Sequence, residues 1–476
     1  MKRPSLLLSF VPLIFLITLI ALTVPLFGDG ITGGPAQIAL LSASLLAALI
    51  SISYLKISWK QLEKSMMDHL TKTGSAIFIL LMIGAVTGSW MMSGIVPTMI
   101  YYGLKLISPG IFLFTIFILT SIASLVTGSS WTTVGTLGVA MFAAGKILGI
   151  PPPWLAGAII SGAYFGDKLS PLSDTTNLAA TVAGTDLYTH VKYMVITITP
   201  AYILAGIIYI VAGFFLTKGG SIDISQQCID LQHTFHISPW LLLVPCITGF
   251  MIYKKIPPFI SLFVSALMGV VVACIFQPHI CNQISHEIIP KASGYLYASL
   301  KILSSECQII TGNEMLDVLC KTKGMSGMIN TVWLILCVVS FGGIMEASGM
   351  ITRITDELLK HVRSTVSLVA STIASCMFCN IALSDQYMSV LLPGKMFAKA
   401  YKDKGYAPEL LSRTLEDSGT VTSVLIPWNT CGVVQSGVLG ISTLAYLPYC
   451  FFNLLSPIVS ITVAAIGYKI RRIKQG

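Results

Sequence analysis

Charge is what this sequence has least of: Asp, Glu, Lys and Arg make up only 10% of its 476 residues. A soluble chain of this length needs far more charge to cover its surface, so a water-soluble globular protein is excluded. The 11 cysteines and seven histidines show no metal-type spacing, which removes a structural zinc site. Neither a His-Glu helical metal motif nor a Gly-x-Ser-x-Gly elbow occurs, so the expectation is a non-enzyme without a cofactor.

Apolar residues are what fill the space: 54% of the chain, with a mean hydropathy of +0.82. Runs of about 20 residues, enough to cross a ~30 Å hydrocarbon core, stand out at 6–26, 35–55, 191–216, 257–277 and 329–349. The first follows Met1-Lys2-Arg3 but lacks a small-residue cleavage site ahead of a soluble domain, so it reads as a retained helix rather than a signal peptide.

The net charge of +9 is topogenic and does not point to nucleic acid. Basic residues gather in alternate loops: Lys56, Lys60, Lys64 and Lys72; Lys254-Lys255; Arg353, Lys360 and Arg363; Lys399, Lys402 and Lys404; Lys469, Arg471, Arg472 and Lys474. The loop 27–34 between them carries none. The bias expects a multi-pass inner-membrane protein with both termini in the cytoplasm.

The two halves repeat. Ser93-Gly94, Met141-Phe142 and Pro153-Trp154-Leu155 recur at one spacing as Ser348-Gly349, Met396-Phe397 and Pro408-Glu409-Leu410, and Pro171 meets Pro427 one residue later. Expected spans are 6–26, 35–55, 74–93, 154–184 and 191–216, then 238–253, 257–277, 329–349, 408–440 and 442–468. Segments 109–149 and 364–405 are interrupted by polar tips and read as re-entrant hairpins. Five crossings per half is odd, so the second half inserts upside down. The expected fold is an all-α polytopic membrane protein of two inverted repeats, 1–216 and 238–476 around a linker 217–237, with broken helices 154–184 and 408–440 at the midplane.

Four polar patches carry the chemistry, because carboxylates and broken backbone inside a membrane are expensive. The densest is Gly166-Asp167-Lys168-Leu169-Ser170-Pro171-Leu172-Ser173-Asp174-Thr175-Thr176-Asn177. Pro171 lacks a backbone donor and breaks the helix, freeing carbonyls. Asp167 and Asp174 bring charge, and Ser170, Ser173, Thr175 and Thr176 bring neutral oxygens. That mixture suits a hard cation such as Na⁺. Lys168 either pairs with Asp167 or Asp174, or sheds its proton in a dry site. The counterpart is Glu416-Asp417-Ser418-Gly419 through Pro427-Trp428-Asn429-Thr430, where Asp417, Asn429 and Thr430 are the expected site residues. The tips add Ser129 and Ser130 from one hairpin, and Asn380, Ser384 and Asp385 from the other. No arginine is expected in the site.

Other residues read blandly. Glu346 ends a span, 58–73 reads as an interfacial helix, and the histidines lie mostly in loops, with His190 preceding a span. Cys281, Cys307 and Cys320 share the long loop 278–328, where spacing alone leaves a disulfide open.

The run Gly166 to Asn177 resembles the signature of the NhaC-type Na⁺/H⁺ antiporters. Gly128-Ser129-Ser130-Trp131-Thr132-Thr133 is similar to that family's Gly-Thr/Ser-Ser-Trp-Gly-Thr element, with Thr132 where glycine is common. Ser384-Asp385-Gln386-Tyr387 and the Glu416 to Asn429 stretch look similar to it too. The resemblance implies a homodimer with a moving transport domain and an ion site at Asp167, Ser170, Asp174, Thr175, Asn177, Asp385, Asp417 and Asn429, with Na⁺ at Asp167, Asp174 and Asp417. It also implies exchange of Na⁺ for H⁺, or, as in some members, exchange of organic acids such as malate and lactate; a carboxylate pair that binds either Na⁺ or protons would couple the fluxes by competition for one site.

Overall fold

The computed structural model describes residues 3–216, 225–285, 291–360 and 362–473. Met1, Lys2, His286, His361, Lys474 and residues 217–224 of the expected linker lie outside them. Among the described residues, eight helices are long and apolar enough to cross a membrane, or up to 10 if each sharply bent helix pair counts as one span. The only paired strands among the described residues are Cys307–Gln308 and Lys321–Thr322, two residues each and antiparallel. The all-α expectation holds.

Local sequence explains where the helices begin. Ser5 opens the helix Leu6–Phe27 by accepting from the Leu8 amide, and proline takes the first position in Pro35–Ser53 and Pro258–Phe276. Leu7, Ile14 and Leu22 remain exposed on the outside of the bundle, as a lipid-facing stripe does. Helix Trp59–Met92 differs from expectation. It is one 34-residue helix, begun by a Ser58–Gln61 capping box, where an interfacial helix and a separate span were expected. Nothing at Lys72-Thr73-Gly74 interrupts it, and at 1.5 Å per residue it reaches roughly 50 Å, longer than the hydrocarbon is thick. The expected span 442–468 also differs: the chain bends through Thr443–Tyr446 and Leu447–Tyr449 before the 16-residue helix Phe451–Ile466. Cys281, Cys307 and Cys320 are buried free thiols, so the loop has no disulfide.

Corresponding points in the two halves share their backbone geometry. Left-handed residues end the first arm of each hairpin at Gly128 and Ser384, close the second arms at Gly149 and Gly405, and end the broken helices at Gly184 and Gly440. Pro152 and Pro408 begin the broken helices. The hairpins run 112–147 and 365–403, each as two helices meeting at a polar tip.

The first hairpin arm, Phe112–Thr127, lies directly against the first half of the broken helix, Pro152–Leu169, through small residues. A Cβ on Gly162 would sit 2.2 Å from the Thr120 hydroxyl, and one on Gly166 would sit 2.2 Å from the Ser121 carbonyl. Gly166→Val should therefore separate the two helices and cost at least about 1–3 kcal/mol by overpacking. A fall in the melting temperature of the detergent-solubilised protein checks this, with Gly74→Ala, at an open helical position, as a control that should show no fall.

Candidate functional site

Both broken helices stop at proline and restart three or four residues later. In the first, Pro152–Leu169 gives way to a turn at Ser170–Ser173, and the chain resumes as Asp174–Ala183. The freed backbone groups are satisfied from within the motif. Thr176 Oγ1 donates to the Lys168 carbonyl at 3.1 Å. Asn177 Nδ2 donates to the carbonyls of Pro171 and Ser173 at 3.1 and 2.7 Å, and the Leu172 amide donates to Ser170 Oγ at 3.3 Å. In the second, a π-helical turn Glu416–Thr420 leads to the break before Thr430–Leu439. Asn429 Oδ1 accepts from the Cys431 amide at 3.0 Å, and its Nδ2 reaches both oxygens of Asn380 at 3.1 Å.

Each hairpin tip is bonded to the broken helix of its own half. Gly128, at φ +66°, turns the chain so that Ser129 caps the second arm. A Cβ there would lie 2.7 Å from that of Leu172, which is how closely tip and break approach. Ser130 then donates to Asp167 Oδ2 from its amide at 3.0 Å and from its hydroxyl at 2.7 Å. In the other half Asp385 caps its arm through the Met388 amide at 2.8 Å, and the Thr430 amide donates to the Ser384 carbonyl at 2.9 Å.

Where the tips and breaks converge, a cavity of about 1000 Å³ opens. It gathers Ser129, Ser130, Asp167, Asp174, Thr175, Asn177, Asp385 and Thr430 from both halves. Asp174 is exposed to it in the first turn of a half-helix. Among the described residues no protein group hydrogen-bonds to this carboxylate. Lys72 and Lys255 stand on the same wall.

Ser170, Thr176, Lys168, Asp417 and Asn429 do not line the cavity. Lys168 follows Asp167 directly, so it points about 100° around the helix, away from the cavity and into the bundle. It pairs there with Asp417, not with Asp167 or Asp174 as the sequence suggested, and also donates to Ser456 Oγ at 3.2 Å. Thr197 Oγ1 donates to the same Asp417 oxygen at 3.1 Å, and Arg413 Nε lies 3.9 Å from the other. Lys168, Asp417 and Arg413 are all fully buried. The expectation of no arginine here is thus corrected. Arg413 also covers the Tyr193 ring at 4.6 Å. Its i,i+4 spacing from Asp417 was the signal that could have found it. Glu416 is fully buried beside this group, and His190 is buried with its Nδ1 2.8 Å from the Ser412 hydroxyl. Likewise His69 is no loop residue: it is buried in the long helix and pairs with Glu346 of the other half.

Residues 162–468 match the Na⁺/H⁺ antiporter family. The chain is 36% identical over 423 residues to the Na⁺/H⁺ antiporter NhaC of Alkalihalophilus pseudofirmus, covering 89% of this chain and 88% of that one. It is 36% identical over 425 residues to the malate-2H⁺/Na⁺-lactate antiporter of Bacillus subtilis, covering 89% and 87%. It is 33% identical over 407 residues to the Na⁺/H⁺ antiporter NhaC of the same organism, covering 85% and 87%.

Breaking the buried Lys168–Asp417 pair from one side strands a charge. Lys168→Met should cost about 3–5 kcal/mol of stability, and Asp417→Leu, which strands both Lys168 and Arg413, should cost at least as much. Thermal unfolding of the three proteins in one detergent makes the comparison.

Proposed function

The chain belongs to the Na⁺/H⁺ antiporter family, and from that premise we propose that it exchanges Na⁺ for H⁺ at the carboxylate-lined cavity, by competition for one site. The observation that carries this is Asp174: a carboxylate open to the cavity, free of protein bonds among the described residues, beside Asp167, Asp385 and the hydroxyls of Ser129, Ser130 and Thr175. An ionised carboxylate with neutral oxygens around it takes Na⁺; the same carboxylate protonated does not. One ion therefore excludes the other, and no separate wire is needed to couple the fluxes. Lys168 serves this by holding the charge of Asp417 inside the bundle, away from the ions. The reaction is transport, with no resident cofactor and no catalytic group.

The two repeats insert in opposite directions, which sets the broken helices at the midplane. The bonds from Ser130 to Asp167 and from Thr430 to Ser384 fasten each tip to its broken helix, which suits movement of these parts as one body in an elevator. A homodimer would supply the fixed scaffold, embedded in inner-membrane lipid with both chain ends in the cytoplasm. By the same charge pattern the cavity, walled by Lys72 and Lys255, faces the cytoplasm.

A second reading has an observation of its own. The cavity is far larger than a Na⁺ ion and carries two lysines, which suits a small organic anion travelling with Na⁺ and H⁺. Proteoliposomes separate the two. On the first reading Na⁺ alone collapses an imposed pH gradient, and Asp174→Asn raises the Na⁺ concentration for half-maximal exchange at least about tenfold, near 1.4 kcal/mol of binding. Flux that appears only with malate or lactate, and falls in Lys72→Gln, establishes the second reading instead.

A further inference from the structure

A second, smaller cavity of about 200 Å³ lies at the other end of the half-helix Thr430–Leu439. Asn330, Thr331, Ser436 and Ser442 give it an amide and hydroxyls, and Lys323 stands on its wall; among the described residues no carboxylate lines it. The loop and turn that carry Lys323 and Ser442 are on the side that the charge pattern assigns to the exterior, opposite Lys72 and Lys255. Thr430 lines the large cavity, and Val433, three residues or roughly 4.5 Å farther along the helix axis, already lines the small one. What separates them is apolar. Val433 and Val434 pack in one buried cluster with Leu334 and Val338, and Trp131, which also walls the large cavity, closes against it. The two helices on either side of the small cavity are in direct contact: a Cβ on Gly437 would sit 2.4 Å from Thr331 Oγ1.

We propose that the small cavity is the outer mouth of the ion path, and that the Trp131–Val433–Val434–Leu334 plug is the gate that closes it in this state. The inference rests on the cavity at Asp174 being the transport site. A hydroxyl-lined mouth without an acid, with Lys323 on its wall, lets Na⁺ shed water stepwise without holding it, while the acidic site lies behind the gate. A gate one helical turn thick opens with a small displacement of Thr430–Leu439 along Met325–Ala347, so the seam at Gly437 and Thr331 is where the moving and fixed parts slide.

The test is sided thiol labelling. In a background lacking reactive cysteines, Ser436→Cys in the mouth, Val433→Cys in the gate and Ser75→Cys in the large cavity are exposed to a membrane-impermeant thiol reagent in right-side-out and inside-out vesicles. Ser436→Cys is expected to react only from the exterior and to lose Na⁺/H⁺ exchange on reaction. Ser75→Cys should react only from the other face. Val433→Cys should react from the exterior several-fold faster when a reversed Na⁺ gradient draws the protein outward-facing. Labelling of Ser436→Cys from the exterior with exchange intact, or of Val433→Cys at a rate indifferent to the gradient, overturns the proposal. Absence of exchange in the unlabelled wild type would instead remove the reading of the Asp174 site, and the sidedness of labelling would still place the mouth. Should Val433→Cys fail to fold, Leu334→Cys on the facing helix reads the same gate.

Discussion

Two helices stop and restart beside the cavity, and the backbone groups freed there must find partners in place of the helix. Everything else around the site follows from how they are satisfied. In the first half the motif closes on itself, through Thr176, Asn177 and Ser170. In the second the partners come from across the hairpin, through Asn429 and Asn380. With its backbone settled in this way, the second break brings Thr430 to the cavity, and the acids of the first, Asp167 and Asp174, carry carboxylates there. They can do so only because Gly128, Gly162 and Gly166 let hairpin and broken helix approach to backbone contact.

The acids are divided between two environments by helix geometry alone. Asp167 and Asp174 face the cavity, while Lys168, one residue on from Asp167, faces the interior and meets Asp417 from the other half. A buried pair of this kind adds little net stability, because desolvation offsets the attraction, but removing one partner is costly. The pair joins the halves and keeps the charge of Asp417 out of the cavity.

Much of this was legible in the sequence, and the limits are instructive. Apolar runs and prolines pointed to several of the long helices, such as Leu6–Phe27 and Pro35–Ser53, and to the turns at Gly128, Ser384, Pro171 and Pro427, since length and a missing amide act locally. The cavity residues Ser129, Asp167, Asp174 and Asp385 were legible for the same reason: polar groups in an apolar run stand out. What stayed hidden was the direction in which each side chain points. The partner of Lys168 lies in the other half, the burial of Arg413 depends on Tyr193 and Asp417, and the pairing of His69 with Glu346 joins helices far apart in the chain. The helix Trp59–Met92 was misjudged because Lys64 and Lys72 suggested a boundary, where a long side chain simply extends to the cavity or the interface.

The central claim is that one site takes Na⁺ or H⁺ but not both. Proton release on Na⁺ binding tests it most directly, measured by adding Na⁺ to the purified protein in weakly buffered detergent solution across a range of pH. The account predicts that Na⁺ expels protons and that the apparent Na⁺ affinity falls as the pH is lowered. Na⁺ binding that releases no protons, with an affinity indifferent to pH, would contradict it.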